Sequence, residues 1–404
     1  MSLPGSTLVD RSVAASSCPC CAGTALRVFH EQRNVPVNSC LLVDTEAEAL
    51  AFPTGDLRLC LCEVCGFIFN SAFDPTLSEY STRYEETQGF SAHFRRFAQD
   101  LARRWLDRYD LYGKRLVEIG CGKGEFLIEM CGQGGCEGVG IDPSYRPDRT
   151  GGEAAARVEF FQEFYGPQHS HLTGDALICR HTLEHIPDTA AFLGGIRATL
   201  ADDGSAAVLF ELPDVRRVLD EVAFWDVYYE HCSYFCAGSL ARLFRRCGFR
   251  VLDLALDYAD QYLILDAVTG VDDGATTLAL EESVETITEA VAHFQSAFPP
   301  IVGRWSDDLR RAAASGQRVA IWGAGSKGVS YLTTLGAGRE VMCAIDINPF
   351  KRGKFMAGTG HPVVAPEDVV SDPPDVVVAM NSVYVPEIQA KLDELAIRAE
   401  LRSV

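Results

Sequence analysis

The run Leu116-Val117-Glu118-Ile119-Gly120-Cys121-Gly122-Lys123-Gly124-Glu125-Phe126 decides the fold of this 404-residue chain. Residues 116–119 read as a buried strand, alternate glycines then break it, and Glu125-Phe126 opens a helix. Gly120, Gly122 and Gly124 permit unusual backbone angles and let a ligand approach the main chain closely. The helix start beside them offers unpaired N–H groups. Asp142 ends the next strand about twenty residues on, where α/β nucleotide folds grip ribose hydroxyls. The spacing Glu-x-Gly-x-Gly-x-Gly is not the dinucleotide pattern G-x-G-x-x-G, because its third glycine comes one residue early. A glycine-rich turn in an unrelated α/β domain would share these features.

Outward from this run the alternation is regular. After the helix over 125–131 and the strand over 138–142, strands are expected at 158–161, 176–179 and 206–211, with a helix over 189–200. A helix over 237–247 and strands at 250–256 and 261–267 complete the unit. This alternation predicts a parallel, doubly wound sheet with its ligand at the carboxyl ends of the strands. Upstream, a helix over 93–109 repeats its apolar residues at 3- and 4-residue steps.

Two segments inside this unit carry chemistry. Arg180-His181-Thr182-Leu183-Glu184-His185 follows the fourth strand, and its histidines are either site residues or core and capping groups. Tyr228-Tyr229-Glu230-His231 packs two phenols, a carboxylate and an imidazole into four residues, a wasteful composition for a core. Imidazole can accept and return a proton near neutrality. A neighbouring carboxylate can orient it, and tyrosine hydroxyls can donate to a developing oxyanion. The alternative is a polar aromatic ledge that binds without proton transfer.

The flanks read as separate parts. Cys18/Cys21 and Cys62/Cys65 form two C-x-x-C knuckles, four thiolates suited to a closed tetrahedral zinc site of structural type. Cys20 and Cys60 break that spacing. Residues 1 to about 17 are small and polar. At the other end, Gly323-x-Gly325-x-x-Gly328 with Asp346 downstream fits the dinucleotide fingerprint, with Lys327, Lys351 and Lys354 adding charge for a phosphate. It reads equally as a half-domain that only packs and covers. The turn Asp272-Asp273-Gly274 marks the boundary before a helical linker over 278–315. The expected parts are residues 1–80, 81–270 and 271–404.

Composition sets limits. Lys and Arg number 36 against 56 Asp and Glu, a net charge of −20. This argues against a nucleic-acid partner, which selects for basic patches. No apolar run approaches the ~20 residues of a membrane helix, and no secretory leader is evident, so a cytoplasmic location is expected. The chain has 15 cysteines; with no export signal they speak against a disulfide framework.

The glycine loop resembles the S-adenosylmethionine (SAM) loop of class I methyltransferases. The order of zinc knuckles, SAM domain, Tyr-x-Glu-His and C-terminal half-Rossmann domain resembles the three-part C-methyltransferases of nucleotide-linked keto-deoxysugars, from about Cys18 to the end. In the C-terminal part Gly325-Ser326-Lys327-Gly328, Asp346-x-Asn348-Pro349-x-Lys351-x-Gly353-Lys354, and Asn381 with Glu387 carry the likeness. The resemblance implies a class I SAM methyltransferase sheet, α/β and Rossmann-like, between an N-terminal four-cysteine zinc module and a C-terminal Rossmann-like domain.

It implies zinc on Cys18, Cys21, Cys62 and Cys65, and SAM on Glu118, Gly120, Gly122, Gly124, Phe126, Asp142, Pro143, Arg180 and His181. Catalysis would fall to His231 as general base with Glu230, Tyr228, Tyr84, His185 and His181. Substrate contacts would come from Tyr229, Lys327, Lys351 and Asn381. The expected reaction is C-methylation beside a ketone through an enolate, with O- or N-methylation on the same scaffold as the alternative. The partner would be a small molecule such as a nucleotide sugar, with no nucleic acid and no membrane, and the chain a monomer or small homo-oligomer. Where the family shows a serine- and threonine-rich run after the tyrosine matching Tyr84, this chain has Glu85-Glu86-Thr87-Gln88-Gly89-Phe90. That departure bears on the substrate.

Overall fold

Hydrophobic runs of four or five residues punctuated by glycine set the strands of the central layer. The computed structural model describes residues 15–78, 80–270 and 277–404; the boundary turn at 272–274 and residues 1–14 lie outside them. The N-terminal part holds β1 (Leu26–Pro36), α1 (Glu46–Leu50), β2 (Thr54–Cys62) and β3 (Ile68–Asn70). The middle follows as α2 (Ala92–Arg108), β4 (Arg115–Ile119), α3 (Glu125–Gly134), β5 (Glu137–Ile141), β6 (Val158–Phe161), β7 (Ala176–Arg180), α4 (Thr189–Thr199), β8 (Ala207–Pro213) and α5 (Val215–Glu221). Next come β9 (Ser233–Tyr234), α6 (Ala237–Arg246), β10 (Phe249–Asp257) and β11 (Tyr262–Thr269). The long α7 (Val284–Ala314) leads to β12 (Val319–Trp322), α8 (Ser326–Leu335), β13 (Val341–Ile345), β14 (Val363–Val364), β15 (Val376–Ala379), α9 (Val385–Glu394) and β16 (Glu400–Ser403).

Among the described residues three sheets result. The central one has the order β10-β11-β8-β7-β4-β5-β6, with β4 parallel to both β5 and β7. The expectation of an all-parallel sheet needs correcting at its edge. β11 runs antiparallel to β8 and to β10, because the short turn at Tyr258, Ala259 and Asp260, all with positive φ, folds the chain back as a hairpin. The reversal of strand order at β4 opens a crevice at the carboxyl ends of β4 and β7. Helix α2 is capped by Ser91 and buries Leu101, Ala102, Trp105 and Leu106 against this sheet. The indole of Trp105 and the hydroxyl of Tyr109 both donate to Asp266 on β11, at 3.1 and 2.7 Å.

The C-terminal sheet, β14-β13-β12-β15-β16, is parallel throughout. The N-terminal sheet has the order β1-β2-β3-β9. Its fourth strand comes from more than 160 residues downstream, pairing Ile68 with Tyr234 and Phe69 with Ser233. The segment after Tyr-Tyr-Glu-His is thereby stitched to the knuckle module. One apolar core runs through Phe29, Leu57, Leu219, Phe224, Phe294, Tyr331 and Val378, residues drawn from all three parts.

Candidate active site

Glu118, next to last in β4, is buried, and its Oε2 has no hydrogen-bond partner among the described residues. Burial pushes its pKa up to about 8 against the pull of Arg180. Gly120 and Gly122 hold left-handed φ values of 71° and 54°. A Cβ on Gly120 would lie 1.9 Å from Thr182 Oγ1. A Cβ on Gly124 would strike the Phe160 ring at 2.5 Å, so this third glycine answers to packing beneath the loop. The Gly122 N–H donates to Asp142 Oδ2 at 2.8 Å, while the Ser144 N–H and hydroxyl donate to Oδ1 at 2.6 Å. A carboxylate accepts at about four lone-pair sites, so Asp142 keeps capacity for further donors. Pro143 lines the cleft beside it.

Arg180 and Phe126 pack on each other, the guanidinium 3.8 Å above the ring. The same guanidinium donates twice to Glu211, at 2.8 and 3.1 Å, so its charge is paired within the protein. His181 has φ 47°, and its Nε2 stands 2.7 Å from Glu211 Oε1, with Nδ1 3.6 Å from Glu184 Oε1. Burial works against charging this ring, but the two carboxylates prevail and raise its pKa to about 9. His181 is therefore an imidazolium at neutral pH and has no base to offer.

His185 and His231 are the opposite case. Burial lowers both pKa values, and the charges of His185, His181 and Lys327 push His231 further, well below 6.5. His185 Nδ1 lies 2.7 Å from Tyr80 Oη and 3.0 Å from the Glu230 carbonyl. A carbonyl only accepts, so Nδ1 carries the proton and Nε2 the lone pair. The rings of His185 and His231 meet edge to face at 4.8 Å, and Tyr228 lies 4.2 Å from His231. Burial holds Tyr228, Tyr84 and Tyr80 well above their usual range, as intact hydroxyls.

The other two members of the tetrad face elsewhere. Tyr229, expected at the substrate, is fully buried and accepts the Asp74 N–H at 2.8 Å with its phenol oxygen. The chain turns at Tyr229 and Glu230, so Tyr228 lines the cleft while the Tyr229 ring packs against Gly55 of the N-terminal sheet. Glu230, expected beside the imidazole, instead receives the Ser39 N–H at 2.8 Å and the Ser39 hydroxyl. Its Oε2 is unpartnered among the described residues, and burial raises its pKa to about 7.

Lys327, Lys351 and Asn381 all line the cleft, but protein groups engage their polar atoms. Lys327 is held by Asp226, which also pairs with Arg217. Lys351 Nζ lies 3.3 Å from Asp346 Oδ2, an atom that also accepts the Ala324 N–H at 2.8 Å. Asn381 makes a reciprocal amide pair with Gln261, at 2.9 Å each way.

The segment that departs from the family pattern forms a strap over residues 84–91 along this cleft, and its contacts are what sequence reasoning missed. Glu85 binds Arg149 at 2.9 Å and accepts from Asn348 at 2.9 Å, and Ser91 donates to Glu387 at 2.7 Å. The acidic pair Glu85-Glu86 was the available signal. The resulting cleft, about 880 Å³, is lined by the glycine loop, the strap, the segments after β7 and β8, and the C-terminal loop. That volume lies toward the upper end of ligand pockets, at ~300–1,000 Å³.

Among the described residues, two side-chain groups offer metal ligands. The sulfurs of Cys18, Cys21, Cys62 and Cys65 lie within 4.8 Å of one another, with Cys18–Cys65 at 3.8 Å and Cys21–Cys62 at 3.6 Å. A tetrahedron with ~2.3 Å zinc–sulfur bonds has edges of about 3.8 Å. The Cys20 and Gly23 N–H groups point at Cys18 and Cys21 sulfur, at 3.4 and 3.3 Å. Glu184, His185 and His231 converge similarly, though the His181 imidazolium beside Glu184 opposes a cation there.

Residues 91–254 match the methyltransferase domain family, and residues 273–399 match the C-methyltransferase C-terminal domain family. The C-methyltransferase NovU of Streptomyces niveus is 29% identical over 296 residues, covering 68% of each chain. The chain is a SAM-dependent methyltransferase, and it is similar to C-methyltransferases along most of its length. Within the methyltransferase, a shorter stretch of 100 residues is 36% identical to the ubiquinone biosynthesis O-methyltransferase of Aeromonas salmonicida, 23% of this chain and 41% of that one. The 1,6-didemethyltoxoflavin-N1-methyltransferase of Burkholderia thailandensis, solved with 1,6-didemethyltoxoflavin and S-adenosylhomocysteine, aligns at TM-score 0.32 and 18% identity over 43% of this chain and 78% of its own.

The cleft of this methyltransferase suits SAM by its own atoms. Glu118 with its orphaned carboxylate oxygen, the glycines of the loop, and Asp142 with its remaining lone pairs all line one space. They would hold the donor's polar groups while the flanking aromatic rings enclose it.

Proposed function

We propose that the chain methylates a carbon adjacent to a ketone on a nucleotide-linked deoxysugar or a related small molecule. His231 acts as general base, and a zinc ion on Cys18, Cys21, Cys62 and Cys65 staples the N-terminal module. The observation that carries this is the buried His231 imidazole, beside Tyr228 and His185, in the cleft that also contains the glycine loop. SAM, when bound, supplies an electrophilic methyl group on a sulfonium. His231 removes the proton from the carbon α to the ketone, and the electron pair of that bond becomes an enolate. The Tyr228 and Tyr84 hydroxyls, kept protonated, donate to the enolate oxygen. The carbon takes the methyl group, the sulfur keeps its bonding pair, and the proton leaves His231 for solvent.

His185, anchored by Tyr80 and the Glu230 carbonyl, positions the His231 ring, and Glu230 fixes the segment through Ser39. The cleft's size and its C-terminal wall support a substrate with an extension beyond the reacting ring. Methyl transfer should be assayed against a panel of nucleotide keto-sugars and simpler ketones, with products analysed for a new C-methyl group and free hydroxyls. A product methylated on oxygen or nitrogen would overturn the assignment. So would a His231→Gln enzyme that turns over normally while binding SAM.

A further inference from the structure

Lys123 stands between Gly122 and Gly124 in the wall of the cleft, yet its side chain has 0% exposure. Its ammonium donates to the Tyr84 carbonyl at 2.7 Å and to Glu86 Oε2 at 3.1 Å. Glu86 belongs to the strap, and 31% of its side chain stays open toward the cleft. Its Oε1 lies 2.8 Å from the point where a Cβ on Gly122 would stand, so the carboxylate sits directly over the bare backbone of the loop. On the other side the Gly122 N–H is taken by Asp142. Gly122 is therefore flanked by two carboxylates, and Lys123 is the ammonium bonded to Glu86.

An arrangement with more acid than base above a ligand-binding loop favours a cation. The methyl donor carries a sulfonium; its product, S-adenosylhomocysteine, is a neutral thioether and has one positive charge fewer. We propose that Glu86 is a cofactor-binding residue that senses this charge, strengthening SAM relative to S-adenosylhomocysteine and so favouring exchange of product for donor. Lys123 orients the carboxylate from beneath, and the strap carries it to the loop. Burial and the Asp142 charge raise the Glu86 pKa to about 7 against the pull of Lys123, as expected for a carboxylate waiting for a cation.

Calorimetric titration of the full chain with SAM and with S-adenosylhomocysteine separates charge sensing from a structural role. Glu86→Gln keeps the shape and an acceptor for Lys123. It is expected to weaken SAM by about tenfold, the size of one partly screened charge interaction, and S-adenosylhomocysteine by less than about twofold. Glu86→Asp, which keeps the charge, retains the preference for SAM. Equal weakening of both ligands in Glu86→Gln, no weakening of either, or a preference lost in Glu86→Asp as fully as in Glu86→Gln would overturn the proposal.

Discussion

His231 shows how burial decides what a residue can do. Its depressed pKa keeps the imidazole neutral, so the base form persists as pH falls through 6.5. At saturating SAM, turnover should therefore show no acid limb from this ring at pH 6.5; a limb there that vanished in His231→Gln would contradict the burial argument. The same variant should lose roughly 10²–10⁴-fold in turnover, the usual contribution of a positioned base, with SAM affinity unchanged by calorimetry. Glu118 titrates in the opposite sense. Its folded pKa, raised to about 8, means that stability present below the unfolded carboxylate range is lost as pH rises through 8. In cofactor-free protein, the melting midpoint should fall relative to Glu118→Gln between about pH 4.5 and 8. Much of this site was legible in residue types: Gly120, Gly122, Asp142, Tyr228 and His231 all reach the cleft. The partners of Lys327 and Glu230 were not legible, because Asp226 and Ser39 lie 101 and 191 residues away in sequence.

Among the elements, the central strands were readable to within a residue or two because each is an apolar run cut off by glycine or a charge. In the knuckle module Phe67-Ile68-Phe69-Asn70 reads as a strand and β3 bears it out, but β1 was not readable, since it interleaves Arg27, His30, Glu31, Gln32 and Arg33 with its apolar residues. The module's role is also in its contacts. A Cβ on Gly55 of β2 would lie 2.3 Å from the Tyr229 ring. Gly55→Ala should therefore destabilise the protein by about 1–3 kcal/mol, the scale of overpacking. It should also lower turnover by displacing Tyr228 and His231, effects that thermal melting and steady-state rates would reveal together. If zinc occupies the cysteine quartet, elemental analysis of purified protein gives one zinc per chain, and Cys62→Ser loses it. Two zincs per chain would instead point to occupancy of the Glu184–His185–His231 group.

At the scale of the whole molecule, the sequence suggested three parts joined in series, whereas the packing joins them side by side. Phe29 and His30 of β1 meet Phe294 and Phe298 of α7, with ring centroids 4.6–6.1 Å apart. Removal of residues 277–404 would uncover this core and the face of Phe224 that stacks on Tyr331. The truncated chain should aggregate on expression, as a solubility assay would show; a soluble fragment that still bound SAM would mean the parts are more independent than their shared core implies.

The pairing of β9 with β3 has a consequence for recombination between related enzymes. A chimera joined near residue 80 would take β3 from one parent and β9 from the other. The register that pairs Ile68 with Tyr234 would then have to be re-established between foreign strands, two residues from His231. Crossovers that move residues 54–70 and 228–236 together should preserve activity, and those that separate them should fail even when both parents share the same chemistry.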